Sequence, residues 1–199
     1  MAFLIRRSRR RLRLRPAVKG WLLAVAALAP RAAAAQHGPD LEYRVKAAYL
    51  LNFTRYIEWP STAFDGAGDP LRVCVLGSDP FDDALEQTFA GRTAQGRRIV
   101  VSRVEAPAQA RACHVVFISG LEWERHPDVL AALKSPGLLT VGEGIRFAES
   151  GGVLSFIPVD RTVRFAVNLD ASDGARLRIS SRMLALAAEL HGRGRGAVP

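Results

Sequence analysis

The chain is poor in the side chains that make reactive centres. Among 199 residues it has two cysteines, Cys74 and Cys113, and four histidines, His37, His114, His126 and His191. Two thiolates cannot hold zinc without histidine help, and the histidines are scattered over a lead-in, a strand, a loop and the tail. Glu122 and His126 stand four apart, but Pro127 follows and no third ligand is near, so no metal site is expected. Neither Gly-x-Gly-x-x-Gly nor a Walker sequence occurs, which removes the usual phosphate-cradling patterns. Ser119, in Ile118-Ser119-Gly120, is not a nucleophile elbow. Asp82 and Asp83 are adjacent, so on a helix they do not face one another. No catalytic residue and no cofactor are therefore expected. The chain also lacks an apolar run of the roughly twenty residues that a membrane span needs, and its first 35 residues contain no acidic side chain.

That last absence explains the net charge. Of 28 basic residues nine lie in the first 35, and the remainder carries 19 basic against 19 acidic side chains. The overall pI near 10.7 thus gives no reason to expect a nucleic-acid partner. The basic stretch leads into the apolar Trp21-Leu22-Leu23-Ala24-Val25-Ala26-Ala27-Leu28-Ala29, and Ala33-Ala34-Ala35 follows. This is the pattern of a secretory signal, with cleavage expected after Ala35. Ser8-Arg9-Arg10-Arg11-Leu12 partly matches a twin-arginine signal, which leaves the export route open. The expected organisation is a cleaved signal peptide over 1–35, one domain over 36–190 and a disordered tail over 191–199.

Within the domain, apolar residues recur at helical spacing from Leu41 to Ile57, with Asp40 as N-cap and Trp59-Pro60 as the stop. Ser61 to Pro70 reads as a loop. Val73-Cys74-Val75-Leu76 reads as a buried strand that turns at Gly77 into a helix over 80–90, with Asp79 as its cap and Asp82 and Asp83 in its first turn. Strands follow at 98–104, 113–118 and 138–141, with a helix at about 128–134. Val153 to Ile157 and Val163 to Leu169 form a hairpin, and a final helix spans 177–190. Strand and helix alternate, so the expected fold is α/β: a single three-layer Rossmann-like domain, its sheet mainly parallel with an antiparallel edge hairpin and helices on both faces.

Two features carry candidate function. The strand ends Gly77-Ser78-Asp79, Ser119-Gly120 and Gly142-Glu143-Gly144 would gather along one sheet edge, where α/β proteins bind small ligands. Gly77, Ser78, Asp79, Ser119, Gly142 and Gly144 are therefore a candidate ligand pocket, and ordinary turn chemistry is the competing account. Cys74 and Cys113 suit either a disulfide or two buried thiols. In an oxidising compartment, closing a loop of about 40 residues would stabilise by roughly 4 kcal/mol.

The run Val45-Lys46-Ala47-Ala48-Tyr49-Leu50-Leu51-Asn52-Phe53-Thr54-Arg55-Tyr56-Ile57-Glu58-Trp59-Pro60, then Cys74 to Phe81, Thr140-Val141-Gly142, Phe147-Ala148, Gly151-Gly152 ahead of Phe156, Arg164 to Leu169 and Ile179-Ser180-Ser181, resembles the YfiR family in that family's order. The resemblance implies a non-enzymatic periplasmic protein, commonly a homodimer, that binds the periplasmic sensor region of a membrane-anchored diguanylate cyclase and lowers cyclic di-GMP output. It also implies a disulfide, for which Cys74 and Cys113 are the only pair; a second bridge of some relatives is absent. Ser155 replaces an asparagine common in the family. For such a role the aromatic end of the first helix, Asn52, Phe53, Tyr56 and Trp59, is the expected partner surface, with core packing as the other account. The alternative function is a periplasmic small-molecule binding protein using the strand-end pocket.

Overall fold

The computed structural model describes residues 39–192. The expected signal peptide with its cleavage site, the start of the lead-in, and residues 193–199 lie outside the described residues.

Helix α1 (Pro39–Tyr56) turns Ala47, Leu50, Leu51 and Phe53 inward. The helix begins at Pro39, one residue before Asp40, the expected N-cap. Ile57–Glu58 (β1) then pairs antiparallel with Arg178–Ile179 (β9), a small sheet outside the main one. A single 3-10 turn, Ser61–Ala63, follows Trp59-Pro60.

The main sheet is built from β2 (Leu71–Leu76), β3 (Thr93–Ala94), β4 (Arg97–Val104), β5 (Val115–Ile118), β6 (Leu139–Glu143), β7 (Leu154–Val159), β8 (Thr162–Asn168) and β10 (Glu189–His191). Their spatial order is β10-β8-β7-β6-β5-β2-β4-β3. The five strands from β4 through β2, β5 and β6 to β7 are mutually parallel, and β8 runs antiparallel to β7. Short two-residue turns make both hairpins: Gln95 and Gly96 between β3 and β4, Asp160 and Arg161 between β7 and β8, all with positive φ, as right-handed strand twist favours. The chain leaves β2 through α2 (Ala84–Phe89) to β4, then crosses back through α3 (Pro107–Ala110) to β5. Helices α4 (Gly120–Arg125) and α5 (Val129–Leu133) lead to β6, α6 (Ile145–Glu149) leads to β7, and α7 (Leu169–Gly174) and α8 (Ser181–Leu184) follow β8.

Alternation along the strands separates two cores. Val73, Val75, Phe117, Val141, Phe156 and Phe165 pack under α1 and α2, joined by Met183 of α8. Cys74, Leu76, Val116 and Ile118 face the other way, against Ala110, Trp123, Leu130 and Leu133. This is the three-layer arrangement that the alternating elements imply.

Two elements depart from the sequence reading. The helix expected over 80–90 begins at Ala84, because Asp79 Oδ1 accepts from Phe81 N at 2.8 Å in a local turn and Asp82 takes φ 51°. Asp79 caps a turn, not a helix, and Asp82 stands before the helix. The final helix over 177–190 is replaced by β9, α8 and β10. Leu186 and Leu190 are exposed, so a continuous helix would bury little there, whereas β8 offers an unpaired edge. The chain takes that edge: Ala188 N donates to Phe165 O at 2.8 Å and β10 continues in parallel register. His191, expected in a disordered tail, is its last residue.

Candidate functional site

The order β4-β2-β5-β6 places the topological switch between β2 and β5, the crevice where this architecture usually admits a ligand. Gly77 to Asp79 leave β2 there, and Ser119 leaves β5. The crevice is filled by the protein's own carboxylates. Glu143, at the end of β6, accepts from Gly120 N through Oε2 at 2.6 Å, and through Oε1 from Tyr43 OH at 3.1 Å and from Lys46 Nζ. Lys46 comes from the inner face of α1, is 5% exposed, and also pairs with Glu42 at 2.5 Å. Its ammonium lies 4.3 Å from the centre of the Tyr43 ring. Burial, and then the Glu143 charge, hold the Tyr43 phenol well above its ordinary range.

The neighbouring groups are committed in the same way. Ser119 Oγ accepts from Glu122 N at 3.3 Å, capping α4 and directing Glu122 back over Gly77. A Cβ at Gly77 would stand 2.4 Å from Glu122 Oε2, and φ there is +72°, so glycine serves both the turn and the close approach. Asp79 pairs with Arg103. Ser155 Oγ donates to Gly144 O at 2.5 Å, and Gly142 lies flat beneath the Phe147 ring. The structure thus brings Gly77, Ser78, Asp79, Ser119, Gly142 and Gly144 to one edge. An arriving anion would meet Glu143, Glu122 and Asp79, so the cradle suggested by the sequence is already occupied from within. Beside it, an open cleft of about 980 Å³ runs between α1 and the β7–β8 hairpin, with Gly144, Lys46 and Glu143 among its walls.

The aromatic quartet divides. Phe53 is buried between Phe156 and Phe165, with ring centroids at 5.8 and 5.2 Å. Trp59 is buried and donates Nε1–H to His114 O at 3.3 Å. Neither is available to a partner, because α1 turns Phe53, and the link after β1 turns Trp59, into the main core. Asn52 is exposed and Tyr56 is 43% exposed. They continue an outward stripe with Leu41, Val45 and Ala48, which the sequence hides because α1 has apolar residues on both faces.

Cys74 and Cys113 form a disulfide with Cα atoms 6.1 Å apart, buried on the α3–α5 side of the sheet. The next residue, His114, is buried too. Its Nδ1 accepts from Arg72 N at 3.0 Å, its Nε2 lies 2.9 Å from Ala63 O, and its ring stacks on Phe64 at 4.3 Å. Arg97 covers the Phe64 ring at 3.7 Å. Burial lowers the His114 pKa, more than the Ala63 contact raises it. Among the described residues no three His, Cys, Asp or Glu side chains are grouped to hold a metal, and no helix is long and apolar enough to cross a membrane.

The fold and its edge define a doubly wound α/β domain whose switch-point crevice is closed by an internal ion-pair network. The chain belongs to the YfiR/HmsC-like family, whose pattern it matches over residues 43–188; the family is periplasmic and regulatory, and acts in diguanylate cyclase signalling. Two solved structures are similar at 12% identity, each over 60% of this chain. One is a conserved domain protein from Vibrio cholerae O1 biovar eltor, with TM-score 0.42. The other is the ABC domain in complex with L-Trp from Streptococcus pneumonia, with TM-score 0.43. The chain spans about half of each, 54% of its length.

Proposed function

We propose that the mature domain, exported and cleaved near Ala35, binds the periplasmic sensor region of a membrane-anchored diguanylate cyclase and restrains it without doing chemistry itself. The observation that carries this reading is the family match over residues 43–188. The outward stripe Leu41, Val45, Ala48, Asn52 and Tyr56 supports it as a surface for a partner. Restraint follows from differential affinity. A regulator that binds the inactive cyclase about ten thousandfold more tightly than the active one moves a 99:1 active population to 1:99, and equal affinity moves nothing. In this reading the regulator is a homodimer.

The test is co-expression of the exported chain with a candidate membrane-anchored cyclase, with cyclic di-GMP as readout. Wild type lowers output, and Val45→Arg with Tyr56→Arg relieves the restraint while the purified variant keeps its melting temperature. Unchanged output with every cyclase from the source cell, together with failure to capture any of their periplasmic domains, refutes the proposal.

A further inference from the structure

The opposite end of the sheet holds a cavity that the switch-point reading does not anticipate. It measures about 430 Å³ and lies between α5, the first residues of β6, Val153 and α7, at the end where the parallel strands begin. Its walls are apolar: Leu130, Leu133, Leu138 and Val153 are all buried, and Ala171 and Ala175 close the α7 side. Its interior is not featureless. Thr140 lines it at 6% exposure. The Thr140 hydroxyl oxygen accepts from Val153 N at 3.0 Å, and among the described residues no acceptor takes its proton. A buried hydroxyl of this kind keeps one proton to donate to a group in the cavity. Exposed Lys134 and exposed Asp170 stand among the lining residues on opposite walls, one from the end of α5 and one from α7.

From these features we infer that the cavity is a binding site for a small monocarboxylate with an aliphatic or aromatic body. The volume is in the range of small-molecule pockets, which are mostly apolar with a few placed polar groups. The apolar walls take the body, Thr140 donates to a carboxylate or carbonyl oxygen, and Lys134 supplies the countercharge. Asp170 stands against a second negative group, so dicarboxylates are disfavoured. The inference is independent of cyclase binding, since it concerns the domain alone, and failure of either leaves the other standing.

The experiment uses the mature chain, 3-phenylpropanoate as probe, and its neutral amide and phenylsuccinate as comparisons. Amide chemical shifts are followed by nitrogen-15 NMR. Saturable shifts clustered at Lys134, Thr140, Val153 and Ala171 are expected, with the monocarboxylate bound at least tenfold more tightly than either comparison. Lys134→Gln should remove that preference. Ala171→Leu should fill the cavity and abolish the shifts, and its NMR spectrum reports whether the fold survives. Thr140→Val is the second variant, expected to weaken binding with the walls intact. No saturable shift at millimolar probe, shifts located elsewhere, or equal binding of acid and amide would overturn the inference.

Discussion

Replacing Glu143 with alanine removes one carboxylate, strands two donors and takes one of its two partners from a third. Gly120 N–H and the Tyr43 hydroxyl lose their acceptor, and Lys46 keeps only the half-exposed Glu42. Breaking a buried ion pair from one side costs about 3–5 kcal/mol. Because Glu42 remains for the ammonium, the low end applies, about 3 kcal/mol. For a domain of this size that is a fall of roughly 6–12 °C in melting temperature. Urea unfolding followed by circular dichroism measures it, and unchanged m would place the loss in stability rather than in a changed denatured state. Lys46→Met combined with Glu143→Leu should recover much of the loss, since an apolar pair of similar volume removes the uncompensated charge. The Tyr43 phenol supplies a second readout. Without the Glu143 charge its pKa falls, and ultraviolet titration of the phenolate reports the shift. A Glu143→Ala protein within 1 kcal/mol of wild type, with Tyr43 unmoved, would show that the network is not a closed, desolvated one.

Replacing both Cys74 and Cys113 with alanine should lower stability by about 4 kcal/mol, from the loop of about 40 residues that the bridge closes in the unfolded chain; a loss under 1 kcal/mol in chemical denaturation would contradict the entropic account. His114 should make stability fall with acid. Its pKa is depressed in the folded protein, so its contribution is complete above the ordinary value of 6.5 and is lost as pH falls through the folded value. Melting curves at pH 7.5 and pH 5 for wild type and His114→Asn test this, and an identical pH slope in both proteins would remove His114 as the cause. Gly152→Ala should be strongly destabilising, because the added Cβ would stand 2.1 Å from the Phe147 ring and 2.9 Å from its carbonyl oxygen; a melting temperature within 2 °C of wild type would refute that packing.

The parallel strands were legible because Val73 to Leu76, Val115 to Ile118 and Leu139 to Val141 are short apolar runs closed by glycine or serine, which fits few other local structures. The end of the chain was not. Leu177, Met183, Leu184, Leu186 and Leu190 repeat as a helix would, but what decided their fate was the free edge of β8, a non-local fact. The same limit hid the site. Glu143 between two glycines reads as turn chemistry, and only the register of β6 beside β5 brings it to Gly120. One local signal was available: Lys46 sits beside Ala47 and Leu50 on the buried face of α1, and a lysine there needs a carboxylate from another element. Likewise Phe53 could not be told from a surface aromatic by spacing alone, because α1 is apolar on both sides, and Trp59, beyond the helix, has no helical spacing to place it.

The three residues of β10 also bear on solubility. Without them β8 would end the sheet as a row of open backbone groups carrying Val163, Phe165 and Val167, a template on which another chain could add a strand. A protein cut before Glu189 would keep both cores and yet gain a sticky margin. Its first defect would then be concentration-dependent aggregation through that edge, ahead of any loss of fold.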